Sequence, residues 1–142
     1  AKLAGIVEGL CGQVGTIKDA IGERSPQVVS EYQEKLNHRI EALLQASGTE
    51  VDPQVLAREV AIFADRSDIR EEVDRIQAHL EQVAEKLADG KEVGRSLDFL
   101  AQELLRESNT IGSKSADASI TKWVIDLKGE VERFKEQVAN IE

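Results

Sequence analysis

The sequence is poor in cysteine, proline and aromatic residues, and each shortage removes a class of structure. One cysteine in 142 residues, Cys11, excludes an internal disulfide and any zinc site built from several cysteines. It reads as a small core residue rather than a nucleophile, since no histidine lies near it in sequence. Two prolines and 4% aromatics, beside 41% hydrophobic and 32% charged residues, suit helices packed through Leu, Val and Ile rather than a β-sandwich. No apolar run approaches the ~20 residues of a membrane span, and no signal peptide is apparent. Positive charge is also short: the net charge is −9, which argues against a broad surface for nucleic acid or anionic membrane and leaves only local basic sites. There is no HExxH, no phosphate-cradling glycine loop and no serine with a convincing His/Asp partner. The length suits one domain with a real core and is short for two. The chain opens on Ala1 and runs directly into a helical pattern, so it is expected to be part of a longer protein.

What is present is helical periodicity. Leu3, Ile6, Val7, Leu10, Val14, Ile17 and Ile21 predict a helix over residues 2–23, with Gly5, Gly9, Gly12 and Gly15 on its other face. That glycine face suits either close approach of a partner helix or a frayed arm. Ser25-Pro26 predicts a second helix start, carried by Val29, Tyr32, Leu36, Ile40 and Leu43 to about Gln45. His38 falls off that stripe and reads as solvated. Asp52-Pro53 repeats the start signal for a short helix to Ala64, with Leu56, Val60 and Phe63 inward. Asp68 with Glu71 forms a capping box before the stripe Ile69, Val73, Ile76, Leu80, Val83, Leu87.

Gly94 to Lys114 is the stretch with two informative faces. Leu97, Leu100, Ala101, Leu104, Ser108 and Ile111 share one, while Arg95, Gln102, Arg106 and Asn109 lie within roughly forty degrees of one another opposite. Phe99 breaks the pattern by standing among the polar residues. Asn109 to Asp117, rich in Ser, Asn, Thr, Gly and Lys, reads as a loop. The final helix, about Ala118 to Ile141, carries Ile120, Val124, Leu127, Val131, Phe134, Val138 and Ile141 at 4-3 spacing, with Trp123 as a buried anchor. The expected fold is therefore all-α: an antiparallel helical bundle of five to six helices with long first and last members. Residues 1–48 are expected to form a helical arm or hairpin, and residues 49–142 a helical domain.

Chemistry, if present, falls to a few groups. Glu72, Arg75 and His79 lie on one flank at i, i+3 and i+7, and Glu103 and Glu107 sit one turn apart. Two such carboxylates facing a histidine from another helix can hold a divalent cation, and arginine can hold a phosphate bidentately. The plainer reading is a set of helix-flank ion pairs such as Glu72–Arg75, Glu103–Arg106 or Glu107–Arg106, each worth little.

The run from Glu59 to His79 (EVAIFADRSDIREEVDRIQAH), the run from Gly94 to Asp117 (GRSLDFLAQELLRESNTIGSKSAD) and the terminal KEQVANIE resemble the C-terminal half of the YicC-like endoribonuclease family. The resemblance covers about residues 50–142, more weakly 1–48, with Gln102, Glu103, Arg106, Glu107, Asn109, Thr110, Ser113 and Lys114 as its densest block. Leu105 and Lys135 depart from the pattern. The resemblance implies a bacterial cytoplasmic, metal-dependent endoribonuclease using Mg²⁺ or Mn²⁺, assembled as a homo-oligomer, a hexamer in known members, with an N-terminal domain beyond this chain. It implies His79, Glu103 and Glu107 as catalytic candidates and Glu72, Glu103 and Glu107 as metal candidates. Arg75, Arg95, Arg106, Asn109 and Lys114 become candidates for holding RNA phosphates. The alternative is a non-catalytic helical scaffold, in which the same charges scatter into surface pairs.

Overall fold

The computed structural model describes residues 2–48, 50–89 and 94–140. These form α1 (Lys2–Ser47), α2 (Pro53–Arg66), α3 (Arg70–Asp89), α4 (Gly94–Lys114) and α5 (Ala118–Ala139), with no strand among the described residues. The all-α class stands. The bundle itself has four members rather than five or six: α1 packs on α5, α5 on α4, α4 on α3 and α3 on α1, while α2 rests chiefly on α1.

Besides α2 standing outside the bundle, one expected helix boundary is lost at Pro26. Two helices were expected on either side of it, but α1 runs through as one 46-residue helix. Proline supplies no N–H, so the ladder loses a bond there. Arg24 spans the weak point, donating to Gln27 at 3.2 Å and to Glu31 at 2.6 Å, and reaching Asp117 at the start of α5 at 3.0 Å. Ile21, wholly buried, holds the preceding turn against the core. The helix ends at Gly48, whose φ of +68° is the left-handed conformation that favours glycine, with its N–H donated to the Leu44 carbonyl at 2.7 Å.

The periodic stripes are the core. One cluster joins Val14, Ile21, Ile69, Ile76, Leu104, Ile111, Ile120, Val124, Leu127 and Val131. A second joins Val7, Val83, Leu97, Leu100, Ala101, Phe134 and Val138, with Cys11 packed against it. Ile141 lies outside the described residues. Trp123 is half-buried rather than a buried anchor. α2 has no buried residue, so Leu56, Val60 and Phe63 are only partly covered, and Phe63 stacks on Tyr32 with ring centroids 3.8 Å apart. His38 is exposed, as expected. On the glycine face of α1, a Cβ added at Gly5, Gly9 or Gly12 would meet nothing within 4 Å, whereas one at Gly15 would meet Leu80 Cδ1 of α3 at 3.7 Å, an ordinary contact.

The loop expected from Asn109 shrinks to Ser115–Asp117, because the hydroxyls there serve the helix. Ser108 donates to the Leu104 carbonyl at 2.7 Å, Thr110 to that of Arg106 at 3.1 Å and Ser113 to that of Thr110 at 3.0 Å. Fully buried Ile111 then anchors the extra turn. Asp117 caps α5 by accepting from the Ile120 N–H at 3.1 Å. Asp68 caps α3 through the Arg70 N–H at 3.1 Å, while Glu71 of the expected capping box turns to Arg75.

Candidate metal centre

The pairings between α3 and α4 set the register. Lys114 meets Glu72, Arg75 meets Glu107 and His79 meets Glu103, so positions descend on α4 as they climb α3. That is the order of an antiparallel pair. Ile76 and Val83 fix the inner face of α3, and Leu100, Leu104 and Ile111 that of α4. His79, Glu103 and Glu107 then stand along the seam where the two helices meet.

These three residues converge. Each offers a ligand atom, and the three atoms lie within 4.8 Å of one another. Glu107 is buried at 4% exposure, whereas His79 and Glu103 are partly covered. Both ring nitrogens of His79 are buried without a hydrogen-bond partner among the described residues. An unpartnered buried donor or acceptor costs about 1–3 kcal/mol, so it calls for a missing partner. One imidazole nitrogen with two carboxylates fits a divalent cation by chemistry and by spacing.

Glu72 is close by but otherwise employed. It is 1% exposed, and both carboxylate oxygens accept from the Lys114 ammonium, at 2.9 and 3.1 Å. Arg75 adds a longer contact at 3.5 Å. Such burial is tolerable only with the charge matched. Arg75 donates its Nε to Glu107 at 2.9 Å and reaches Glu71 at 3.5 Å. The bond to Glu107 is the main cause that raises the Arg75 pKa. Lys114 also donates to the Asp68 carbonyl at 3.2 Å. Two of the five residues implied for phosphate binding, Arg75 and Lys114, thus neutralise buried carboxylates.

The other three face outward on α4. Arg106 is exposed and touches Glu103 at 3.7 Å, the Glu103–Arg106 pair of the plainer reading. Asn109 and Arg95 are exposed, with Arg95 two turns from Glu103 toward the start of the helix. Beside Arg95, a shallow depression of about 310 Å³ is lined by Gln82, Lys86, Arg95, Ser96, Phe99 and Leu100. Gln82 and Lys86 were not foreseen, although they follow His79 at i+3 and i+7 on the same flank. A pocket of about 460 Å³ between α1, α2 and α3 carries no histidine and does not include the cluster. The unpartnered imidazole makes the seam, rather than that pocket, the candidate site.

Comparison with known proteins places the chain. Residues 21–142 match the sequence family described as endoribonuclease YicC-like, C-terminal. The match begins well before residue 50, taking in the second half of α1. The chain is 43% identical over 141 residues to a protein of Clostridioides difficile (strain 630) and 37% identical over 141 residues to one of Haemophilus influenzae, each named probable endoribonuclease YicC. Each alignment takes in 99% of this chain, which spans about half (48%) of the length of each relative. Among the described residues, no helix is long and apolar enough to cross a membrane.

Proposed function

The chain belongs to the YicC-like endoribonuclease family through its C-terminal region, and on that premise we propose that it forms the metal-holding half of an enzyme that cleaves RNA phosphodiester bonds. The observation that carries this reading is the meeting of His79, Glu103 and Glu107, with both imidazole nitrogens unpartnered. These three residues would hold the cation, Mg²⁺ or Mn²⁺, with Glu72 behind them as the carboxylate whose charge Lys114 balances. A divalent cation supplies Lewis-acid neutralisation of charge on a phosphodiester.

The chain's own residues do the rest. Arg75 fixes the Glu107 carboxylate by its 2.9 Å bond, so that ligand is positioned in advance. With its lone-pair nitrogen taken by the cation, neutral His79 would keep an N–H on the other ring nitrogen, free to donate a hydrogen bond to a phosphate oxygen. Arg106, beside Glu103, and Asn109 and Arg95 on the outward face are candidates for the phosphates on either side. A chain of net charge −9 offers little long-range attraction for RNA, so the remaining positive surface comes from the rest of the protein or from further copies in a homo-oligomer. Exposed Leu43, Val55 and Ile62 on the α1–α2 arm favour such assembly, a hexamer in this reading, in the bacterial cytoplasm.

The test is cleavage of a labelled structured RNA by full-length protein with Mg²⁺ or Mn²⁺. Wild type is compared with His79→Ala and Glu103→Ala after sedimentation shows the assembly unchanged. Loss of cleavage in both supports the reading. Unchanged cleavage removes it and leaves this region as scaffold.

A further inference from the structure

The seam between α3 and α4 continues past the metal-binding cluster. From His79, the same flank of α3 carries Gln82 and Lys86, and from Glu103 the matching flank of α4 carries Phe99 and Arg95. His79 to Lys86 is seven residues, about 10 Å along the helix. At that distance lies the 310 Å³ depression, open to solvent, with Phe99 in its lining.

Three features of this place are not needed by the fold. Phe99 is 61% exposed, while Leu97 and Leu100 beside it are buried. Lys86 and Arg95 make no ion pair or hydrogen bond among the described residues, although Arg24, Arg70, Arg75, Arg106, Lys114 and Arg133 do. Asp98, the nearest acid on α4, is occupied in accepting from Gln102 at 3.0 Å. A single exposed apolar side chain is ordinary on a protein surface. What separates Phe99 is its company: two cations unpaired among the described residues, a glutamine amide, and a catalytic candidate one helical turn away.

We propose that Phe99, Lys86 and Arg95 form a subsite for one unpaired nucleotide of a single-stranded RNA segment beside the bond to be cut, with the base stacked on Phe99 and its flanking phosphates on Lys86 and Arg95. The proposal rests on reading the adjoining cluster as the cleavage centre. The chemistry is that of single-strand binding, where an aromatic face takes any base and cations track the backbone. A base inside a duplex has no free face to offer, so the subsite selects loops, bulges and tails. Arg95, implied for phosphate binding by resemblance, acquires a defined neighbour. Phe99, the residue that broke the polar face of α4, acquires a use.

The test is done without metal, in EDTA, so that it reads binding and not cleavage. Full-length protein is titrated into a short single-stranded RNA carrying one 2-aminopurine, whose fluorescence falls when it stacks on an aromatic ring. Wild type and Phe99→Trp quench it. Phe99→Ala loses the quenching and binds roughly five- to a hundredfold more weakly. Lys86→Ala and Arg95→Ala weaken binding for any base and each lower the salt slope by about one. Phe99→Ala that binds and quenches like wild type overturns the subsite, whether or not metal-dependent cleavage persists. So does Phe99→Ala that changes only the sedimentation behaviour, which would place Phe99 between copies of the chain. Quenching lost in Phe99→Ala, with cleavage indifferent to His79→Ala, keeps the subsite and removes the cleavage centre instead.

Discussion

Arg75 donates to Glu107 across the α3–α4 seam at 2.9 Å, with the arginine half in solvent and the carboxylate 5% exposed. The bond carries positive charge from the mouth of the seam to a carboxylate that could not otherwise be buried ionised. It also fixes one of three groups that offer themselves to a cation. Arg75→Gln is therefore expected to lower the midpoint of urea unfolding, because buried Glu107 loses its charged donor, while Mn²⁺ binding stays measurable. Glu107→Gln is expected to lower Mn²⁺ affinity as well. Urea unfolding and calorimetric titration on both variants separate the two effects.

The donor set predicts which metal is favoured. Carboxylates alone suit Mg²⁺ and Mn²⁺ alike, whereas an imidazole nitrogen favours first-row transition metals. With His79 in the set, Mn²⁺ is expected to bind more tightly than Mg²⁺. His79→Ala is expected to narrow that preference more than it lowers Mg²⁺ affinity. Equal selectivity in wild type and His79→Ala would place the imidazole outside the coordination.

Glu72 and Lys114 make a second cross-seam pair, and here the acid is almost wholly enclosed at 1% exposure. Lys114→Met leaves that carboxylate short of its main partner and is expected to cost about 2–3 kcal/mol. Glu72→Gln in the same chain is expected to recover most of the loss, since the unmatched charge is then gone. A double-mutant cycle by denaturant unfolding checks this. Additive losses would mean that the two side chains act independently.

The bundle was legible because its core follows single-helix periodicity: Ile69, Ile76 and Val83 on α3, and Leu97, Leu104 and Ile111 on α4, could be read one element at a time. Spacing alone offered His79, Glu103 and Glu107 beside the plainer reading of helix-flank ion pairs; the family resemblance singled them out, and the fold brings their ligand atoms within 4.8 Å of one another. Features set by distant partners were not. Pro26 carries a strong local signal for a helix boundary, and what overrides it is the reach of Arg24 to Asp117, 93 positions away. The tie of Glu72 to Lys114 spans 42 positions and lets Glu72 be buried with its charge matched, which spacing on a single helix does not reveal. Ser108, Thr110 and Ser113 misled in another way. Their hydroxyls are compatible with a loop or with bonding back to their own helix, and buried Ile111 decides for the helix.

Cys11 is packed against the second core cluster, and burial together with nearby Glu8 pushes its thiol up to about 11. An unperturbed thiol lies near 8.5. At pH 8, the folded protein therefore holds roughly a hundredfold or more less thiolate than the unfolded chain, and the thiolate is the reactive form. Alkylation by iodoacetamide, followed by mass spectrometry, is expected to be slower in the folded state by at least that ratio. Rapid modification of the folded protein at pH 8 would contradict the packing described for α1.

Asp117 joins two elements: it caps α5, and it takes the guanidinium of Arg24, which in turn bridges the proline turn of α1. Arg24 is the main cause that lowers the Asp117 pKa. Asp68, beside Arg70, is lowered to about 2. Both carboxyls are depressed in the folded state, so the stability they contribute is complete above the unfolded value near 3.9 and fades as pH falls toward the folded value. For Asp68 that window runs from about 4 to about 2. Its contribution is small, because its side chain is 37% exposed and that of Arg70 is 86% exposed. Asp117 at 13% and Arg24 at 21% are better shielded, so they should dominate the acid limb. Asp117→Asn retains an acceptor for the Ile120 N–H, since asparagine caps as well as aspartate does, but loses the charge. Its stability is expected to vary less between pH 5 and pH 3 than that of wild type. Asp117→Ala also loses the cap, worth about 1 kcal/mol, and is expected to be the less stable of the two at every pH. If unfolding curves instead show Asp117→Asn with the same acid dependence as wild type, the Arg24–Asp117 tie is not what carries α1 through Pro26. The continuity of that helix would then rest on the burial of Ile21 and its neighbours alone.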